Sequence, residues 1–240
     1  MDLLYECYSN RTGIESCLRG DLFAIHVTLP HLVVVARIAH EFGVNVEGLE
    51  ATITSKIPRE SGLASSSATS TALVVSLLQE SGIKDDNVVI EVSRDADRVV
   101  HRTESGGIID VPTSYYGGCI SYSNKGGVKT EIFPQEIGIV IINTGPKKST
   151  GVMVAHVKDP YKKKTEFVER ILFEKESCAK EGLIALHRKD LKRLGELMSL
   201  NHDLRKELGV STDRLDYGVA LAKRAGAYGA KLSGGGEVER

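Results

Sequence analysis

The chain has 240 residues, of which 41% are apolar, and a formal net charge of −1. This length supports a hydrophobic core for one large or two small domains, and the near-zero charge argues against a broad nucleic-acid surface. No apolar run approaches the roughly 18 residues of a membrane-spanning helix, and the first residues, MDLLYECYSNRTG, do not resemble a signal peptide.

The N-terminal half of the chain begins its regular structure with a predicted helix over Leu32–Phe42, which ends near Gly43. The alternation in LEATITSKI, residues 49–57, predicts a strand. A serine-rich loop and an apolar helix to about Gln79 follow, and Gly82 is a typical helix C-terminal residue.

A further helix is predicted over residues 88–101, followed by the glycine-rich loop ESGGIIDVPTSYYGG. CISYS and VKTEIF read as paired strands joined by the turn NKGG. The continuous apolar run IGIVIINT, residues 137–144, predicts a buried strand. We place a domain boundary here, which gives domains 1–135 and 136–240.

The C-terminal half is rich in Lys, Glu and Leu between residues 164 and 206, and we predict helices with charged outer faces there. STDRLDYGVALAKRAG begins with capping residues and ends at a glycine, which predicts another helix. The last segment, AYGAKLSGGGEVER, is predicted to be a strand that enters a glycine-rich loop.

The four cysteines, Cys7, Cys17, Cys119 and Cys178, have no spacing typical of a metal site. Because no secretory signal is predicted, we interpret them as free thiols in a reducing cytoplasm rather than as disulfides.

The serine-rich segment Gly62–Thr69 has the features of a phosphate-binding loop. Its small residues allow backbone N–H groups to approach an anion, and the helix that begins there adds unpaired donors and a positive dipole end. Serine hydroxyls can also contact phosphate or Mg²⁺. The alternative is a serine cap with a small-residue packing face, and no GK[ST] sequence of the usual P-loop is present.

Two other segments strengthen the phosphate-binding interpretation. Asp110 lies in a glycine-rich turn, where a lone aspartate is otherwise a turn cap. GAYGAKLSGGG offers a second flexible backbone that can approach an anion, although a glycine run alone is typical of any loop. The three segments in this order suggest a nucleotide site.

These three segments resemble the motifs of the GHMP small-molecule kinases. IPRESGLASSSA is similar to the central Pro-x-x-x-Gly-Leu-Gly-Ser-Ser-Ala motif, and GAYGAKLSGGG is similar to the C-terminal motif. ESGGIIDVPTSYYGG and the region from Met198 to Gly236 resemble the mevalonate kinases within the family. The resemblance covers roughly residues 30 to 236. It implies an α+β fold, with an N-terminal α/β domain and a ferredoxin-like C-terminal domain.

The resemblance also implies site residues and cofactors. Asp110 corresponds to the catalytic aspartate, which orients and deprotonates the hydroxyl that attacks the γ-phosphate of ATP. Ser66 corresponds to the serine that binds Mg²⁺ and phosphate. Asp97 lies four residues before the histidine in DRVVH, and this spacing makes it a candidate Mg²⁺ ligand. The alternative is that Asp97 is a surface charge of the helix. The residues implied to bind ATP are Gly62, Leu63, Ala64, Ser65, Ser66, Ser67, Ser233, Gly234 and Gly235.

Other positions are open to two interpretations. Thr144 follows the predicted strand where the family's substrate pocket begins, and it can equally be a strand-end hydroxyl. His202 is either a pocket residue or a structural histidine. Ala64 replaces a glycine of the motif, so its methyl group matters if that backbone has a positive φ.

The family's first motif, Gly-Lys-x-x-x-x-Gly-Glu-His, does not occur in residues 1 to 30, and the chain ends where a strand normally follows the last motif. We therefore expect an incomplete sheet with two exposed edges.

Three functional hypotheses follow from the resemblance. The first is ATP- and Mg²⁺-dependent phosphorylation of mevalonate in isoprenoid precursor synthesis, by a protein that can form homodimers. The second is the sibling reaction on phosphomevalonate. The third is an inactive or fragmentary relative that only binds a metabolite or partner.

Overall fold

The computed structural model describes residues 22–46, 51–58, 61–101, 106–131, 136–145 and 165–236, with side chains from residue 30 onward. The described residues fall into two compact units. The first lies within Met1–Lys56 and Ala64–Glu131, and the second lies within Ile57–Leu63 and Ile132–Arg240. The predicted domain boundary between residues 135 and 136 stays a prediction.

Among its described residues, the first unit contains four helices and a hairpin. The helices are α1 (Leu22–Phe42), α2 (Ser65–Glu80), α3 (Asp86–His101) and α4 (Asp110–Tyr116). The hairpin pairs β1 (Cys119–Ser123) with β2 (Gly127–Glu131) in antiparallel register. The predicted helix ends near Phe42 and Gln79 and the predicted hairpin are confirmed.

The core of the first unit lies between α1, α2 and α3. These helices form because apolar residues recur at helical spacing and because turn residues mark their ends. Gly82 adopts a positive φ after α2. Asp85 accepts the Asn87 amide at 2.9 Å before α3. The central buried side chains are Val34, Ile38, Val74, Leu78, Val92 and Ala96. The helices therefore form a rigid support for the N-terminus of α2.

The second unit contains three helices among its described residues, α5 (Thr165–His187), α6 (Leu191–Glu207) and α7 (Asp213–Arg224). Asp190 caps α6 by accepting the Arg193 amide at 2.9 Å, and Thr212 caps α7. The core side chains are Val168, Ile171, Cys178, Leu197, Leu204, Leu208 and Val210. The helices predicted for this region are confirmed.

Three strand predictions are wrong for the residues described. Residues 51–58, 136–145 and 227–233 form no strand. The run from Ile139 to Ile142 is exposed rather than buried, with Val140 at 89%. A strand is stable only when a neighbouring strand pairs with its backbone, and the described residues contain such pairing only in the β1–β2 hairpin.

Cys119 and Cys178 are free thiols, as predicted, while Cys7 and Cys17 lie outside the described residues. Within the described ranges, no helix is both long and apolar enough to cross a membrane.

Candidate functional site

The serine-rich loop leads directly into α2. Ala64, the residue before the helix, has φ 56° and ψ 34° in the left-handed region and provides no side-chain cap. Its carbonyl accepts the Ala68 amide at 2.9 Å and begins the helical ladder. Ser65, Ser66 and Ser67 therefore occupy the first turn, where backbone N–H groups have no helical partner.

Asp97 of α3 holds two of these serines. Its side chain is almost fully buried. Oδ1 accepts the Ser67 hydroxyl at 2.8 Å and the Ser66 hydroxyl at 3.3 Å. The alternative reading of Asp97 as a surface charge is wrong, because a buried carboxylate with two hydroxyl donors is part of a polar cluster.

Two glycines allow the chain to pass close to this cluster. Gly106 and Gly107 have φ of +50° and +48°. A Cβ on Gly107 would lie 2.7 Å from Asp97 Oδ2, and one on Gly106 would lie 2.4 Å from the Arg94 carbonyl oxygen. Glycine is thus required at both positions for two reasons: a side chain would collide with α3, and the backbone has a positive φ.

His101 completes the cluster one turn after Asp97. Its Nε2 lies 3.1 Å from Ser66 Oγ and 3.5 Å from Asp97 Oδ1. The hydrogen bond to Asp97 raises the pKa of His101, against the opposing effect of burial. In the sequence, His101 only marks the spacing that makes Asp97 a candidate metal ligand. Its position four residues after Asp97, on the same helix face, is the signal that predicts the contact.

Asp110 is the first residue of α4 and is exposed to solvent. Partial desolvation of its carboxyl and the charge of Asp97 raise the pKa of Asp110, and His101 acts in the opposite direction. The described residues include no lysine or arginine paired with Asp110. A carboxylate with a raised pKa is suited to accept a proton.

Ser66 and Asp97 have a donor set that fits Mg²⁺, which prefers oxygen ligands. Adjacent ligands of an octahedral ion at about 2.1 Å lie roughly 3 Å apart, and Ser66 Oγ and Asp97 Oδ1 are 3.3 Å apart. No group of three or more His, Cys, Asp or Glu suited to a metal occurs in the described part of the chain. Two protein oxygens are enough to hold Mg²⁺, because this ion usually retains several water ligands.

The C-terminal glycine loop belongs to the second unit, as do Gly62 and Leu63. The Ser233 hydroxyl donates to the Gly62 carbonyl at 2.9 Å. Gly234 has φ +71°, and a Cβ there would lie 2.8 Å from Gly62 Cα. Within the second unit, Gly62 at the start of the serine-rich segment thus lies against the C-terminal glycine loop, while the neighbouring Gly235 is exposed.

Thr144 and His202 have structural contacts in the second unit. The Thr144 carbonyl accepts Arg214 Nη1 at 2.7 Å. His202 is buried, with Nδ1 accepting the Leu232 amide at 3.4 Å and Nε2 lying 3.1 Å from Asp216 Oδ1. The structural reading of His202 is therefore supported, and the substrate role of Thr144 stays a prediction.

Comparison with known proteins gives similarity along most of the chain. The mevalonate kinase of Pyrococcus horikoshii is 37% identical over 196 residues, which are 79% of this chain and 57% of that protein. The chain thus spans less than three fifths of the length of this relative.

Solved structures show the same fold. L. major mevalonate kinase in complex with R-mevalonate has a TM-score of 0.59 and 30% identity, over 71% of this chain and 53% of that one. Methanococcus jannaschii mevalonate kinase has a TM-score of 0.64 and 21% identity, over 87% of this chain and 65% of that one. The expected α+β fold of the GHMP kinases is confirmed.

Two family models match in the expected order. The GHMP kinase N-terminal domain matches residues 31–118, and the GHMP kinase C-terminal domain matches residues 183–237. Together they account for more than half of the chain, which therefore belongs to the GHMP kinase family.

Proposed function

We propose that the protein transfers the γ-phosphoryl group of ATP to the hydroxyl of mevalonate, in isoprenoid precursor synthesis within a reducing cytoplasm. The observation that carries the proposal is the buried Asp97 carboxylate, which accepts the hydroxyls of Ser66 and Ser67 at the N-terminus of α2. Similarity to mevalonate kinases over 79% of the chain supports the choice of substrate.

The first turn of α2 provides the phosphate site of this proposal. Unpaired N–H groups and the helix dipole attract the phosphates of ATP, and the hydroxyl of Ser65 adds a donor. Mg²⁺ held by Ser66 and Asp97 would neutralise charge on these phosphates. Gly62 to Ser67 and Ser233 to Gly235 are the proposed nucleotide-binding residues.

Asp110 is the proposed catalytic residue. Its raised pKa makes the carboxylate a better base than an ordinary aspartate. It would orient the mevalonate hydroxyl and accept its proton as the bond to phosphorus forms. Thr144 is the proposed contact to the substrate.

The test is ATP-dependent product formation from mevalonate by the purified chain. Asp110→Asn is expected to lower kcat by about 10²-fold or more, because general-base catalysis contributes that much. The matched control is Asp203→Asn, an exposed carboxylate of α6, which is expected to keep the wild-type rate. Equal rates for the wild type and Asp110→Asn would contradict the role of Asp110.

A second assay addresses the proposed metal ligands. Ser66→Ala is expected to raise the Mg²⁺ concentration needed for half-maximal rate, whereas Ser76→Ala, on the exposed face of α2, is not. Replacing mevalonate by phosphomevalonate tests the sibling reaction. Binding of ATP or mevalonate without turnover would instead identify a relative that only binds its ligands.

A further inference from the structure

The peptide group between Thr144 and Gly145 is held at both of its polar atoms. Its carbonyl oxygen accepts Arg214 Nη1 of α7 at 2.7 Å, and its N–H group donates to the Asn143 side chain at 3.0 Å. A contact between asparagine and the backbone two residues later is a common turn. Gly145 has φ +103°, which glycine adopts without strain. The backbone around Thr144 is therefore fixed, although the apolar run before it is exposed.

Helix α7 contacts this turn at two positions of one helix face. Arg214 lies close to Gly145 as well as Thr144, because a Cβ on Gly145 would be 2.9 Å from Arg214 Nη1. Four residues after Arg214, a Cβ on Gly218 would be 3.7 Å from Thr144 Cγ2, an ordinary van der Waals distance. Positions four apart lie on the same face of a helix. The carbonyl and the methyl group of Thr144 therefore both lie against α7.

The hydroxyl of Thr144 has no hydrogen-bond partner among the described residues. Because the methyl group lies against α7, rotation about the Cα–Cβ bond is restricted, and the hydroxyl keeps one direction. A hydroxyl offers one donor and two acceptor sites. Its fixed direction and unused capacity suit it to contact a polar ligand.

The charge of Arg214 has no carboxylate partner in the part of the chain that the structure describes. Arg170, an exposed arginine of the same unit, pairs with Glu174 at 2.8 Å. The hydrogen bond from Arg214 goes instead to the backbone of Thr144. Because a charged donor forms a stronger hydrogen bond than a neutral one, this contact favours a single placement of Thr144.

We propose that Arg214 is a positioning residue for substrate binding. It holds the Thr144 carbonyl, and thereby the direction of the Thr144 hydroxyl, without touching the substrate. The inference rests on the proposed function, in which Thr144 contacts mevalonate. The groups proposed for phosphoryl transfer, Ser66, Asp97 and Asp110, belong to the first unit. Loss of Arg214 is therefore expected to raise KM for mevalonate and to leave kcat nearly unchanged.

The test is a double-mutant cycle measured by calorimetric titration with mevalonate, which needs no turnover. Thr144→Val and Arg214→Met are each expected to weaken binding by about fivefold, the effect of one hydrogen bond. In the Thr144→Val background, Arg214→Met is expected to change the affinity by less than about twofold, because Arg214 acts through that hydroxyl. The affinity for ATP is expected to stay at the wild-type value in every variant.

Two further variants serve as controls. Arg214→Lys is expected to recover most of the affinity, because one ammonium donor can replace the single guanidinium contact. Arg224→Met removes an exposed arginine from the other end of α7, where Arg224 Cζ lies 5.9 Å from the centre of the Tyr217 ring. This variant is expected to bind mevalonate as the wild type does. Equal weakening in Arg214→Met and Arg224→Met overturns the proposal.

The outcomes separate this inference from the proposed function. Weaker binding in Thr144→Val together with unchanged binding in Arg214→Met overturns the role of Arg214 alone. Additive losses in the double variant also overturn it, because Arg214 would then act independently of the Thr144 hydroxyl. Wild-type affinity in Thr144→Val, or no binding of mevalonate to the wild type, contradicts the proposed substrate contact and the inference with it.

Hydrogen exchange of the Gly145 amide, followed by NMR, gives a second measurement in the free protein. Arg214→Met is expected to accelerate this exchange, because the same peptide group loses the contact at its carbonyl oxygen. Arg224→Met is expected to leave the exchange rate unchanged. An unchanged rate in Arg214→Met overturns the proposal, whatever the affinity for mevalonate.

Discussion

Ala64 adopts a backbone conformation that favours glycine, immediately before the helix that carries the serines. Its φ of 56° lies in the left-handed region, which costs an alanine roughly 1 to 2 kcal/mol. We expect Ala64→Gly to stabilise the protein by about 1 kcal/mol, because the relief of this strain exceeds the added entropy of the unfolded chain. Urea unfolding of the wild type and variant measures the difference.

The control for Ala64→Gly is Ala72→Gly, at an exposed position inside α2. That substitution is expected to destabilise by about 1 kcal/mol, because glycine is a poor helix former. Effects of the same sign at the two positions would contradict the role of the left-handed backbone at Ala64.

His101 makes the stability of the first unit depend on pH. Asp97 raises the pKa of His101 above its ordinary value. Because the folded pKa exceeds the unfolded one, the stabilisation is fully present below about pH 6.5 and is lost as the pH rises through the folded value. We expect the free energy of unfolding of His101→Gln to fall less than that of the wild type over this range.

The measurement for His101 is urea unfolding at about pH 6 and about pH 9, on either side of the histidine titration. Identical pH dependence in the wild type and His101→Gln would show that the contact with Asp97 contributes nothing.

Gly195 allows helix α6 to pack closely against the segment before the glycine loop. A Cβ on Gly195 would lie 2.3 Å from the Tyr228 carbonyl carbon and 2.6 Å from the Gly229 nitrogen. Backbone atoms cannot yield as side chains do, so we expect Gly195→Ala to destabilise by about 1 to 3 kcal/mol, as overpacking does. Thermal unfolding measures the loss.

Gly182 of α5 provides the comparison for Gly195. Both glycines are buried in helices of the same unit, but a Cβ on Gly182 would meet only Leu194 Cδ1, at an ordinary 3.6 Å. Gly182→Ala is expected to be neutral or to stabilise by up to about 1 kcal/mol, since alanine favours the helix. A large loss in Gly182→Ala would show that any added methyl disturbs these helices.

The elements differ in how far the sequence predicts them. Helices α2, α3 and α7 were predictable because their apolar spacing and caps are local features of the chain. The run from Ile139 to Ile142 is predicted to be a buried strand but is exposed, because strand formation depends on a partner elsewhere in the chain. Its apolar composition alone carries no information about whether that partner is present.

The candidate site was predictable in part for the same reason. The serine loop, Asp110 and the glycine loop follow from motifs. The burial of Asp97 does not follow from a motif, because it depends on the close passage of Gly107 over α3. A Cβ on Gly107 would lie only 2.7 Å from Asp97 Oδ2.

At the scale of the whole molecule, the exposed apolar run Ile139–Ile142 is a liability for association. Val140 is 89% exposed within a β-branched segment that forms no regular secondary structure, and exposed segments of this composition tend to pair with other chains. We expect Val140→Lys to lower self-association in light scattering while it changes the free energy of unfolding by less than about 0.5 kcal/mol.

Phe173→Lys is the control for Val140→Lys. Phe173 is 70% exposed but lies on helix α5, where the backbone is already hydrogen-bonded. The same substitution there is expected to leave association unchanged. Equal suppression by both variants would show that the added charge, rather than the apolar segment around Val140, controls association.

The contacts of His202 also determine which of its ring nitrogens carries a hydrogen. Since the Leu232 amide donates to Nδ1, that nitrogen presents its lone pair, and the ring hydrogen sits on Nε2, pointing to Asp216. One imidazole tautomer therefore ties the first turns of α7 to the backbone next to Ser233. Helices α6 and α7 thus determine where the glycine loop begins, and the flexible sequence of the loop does not have to specify its position.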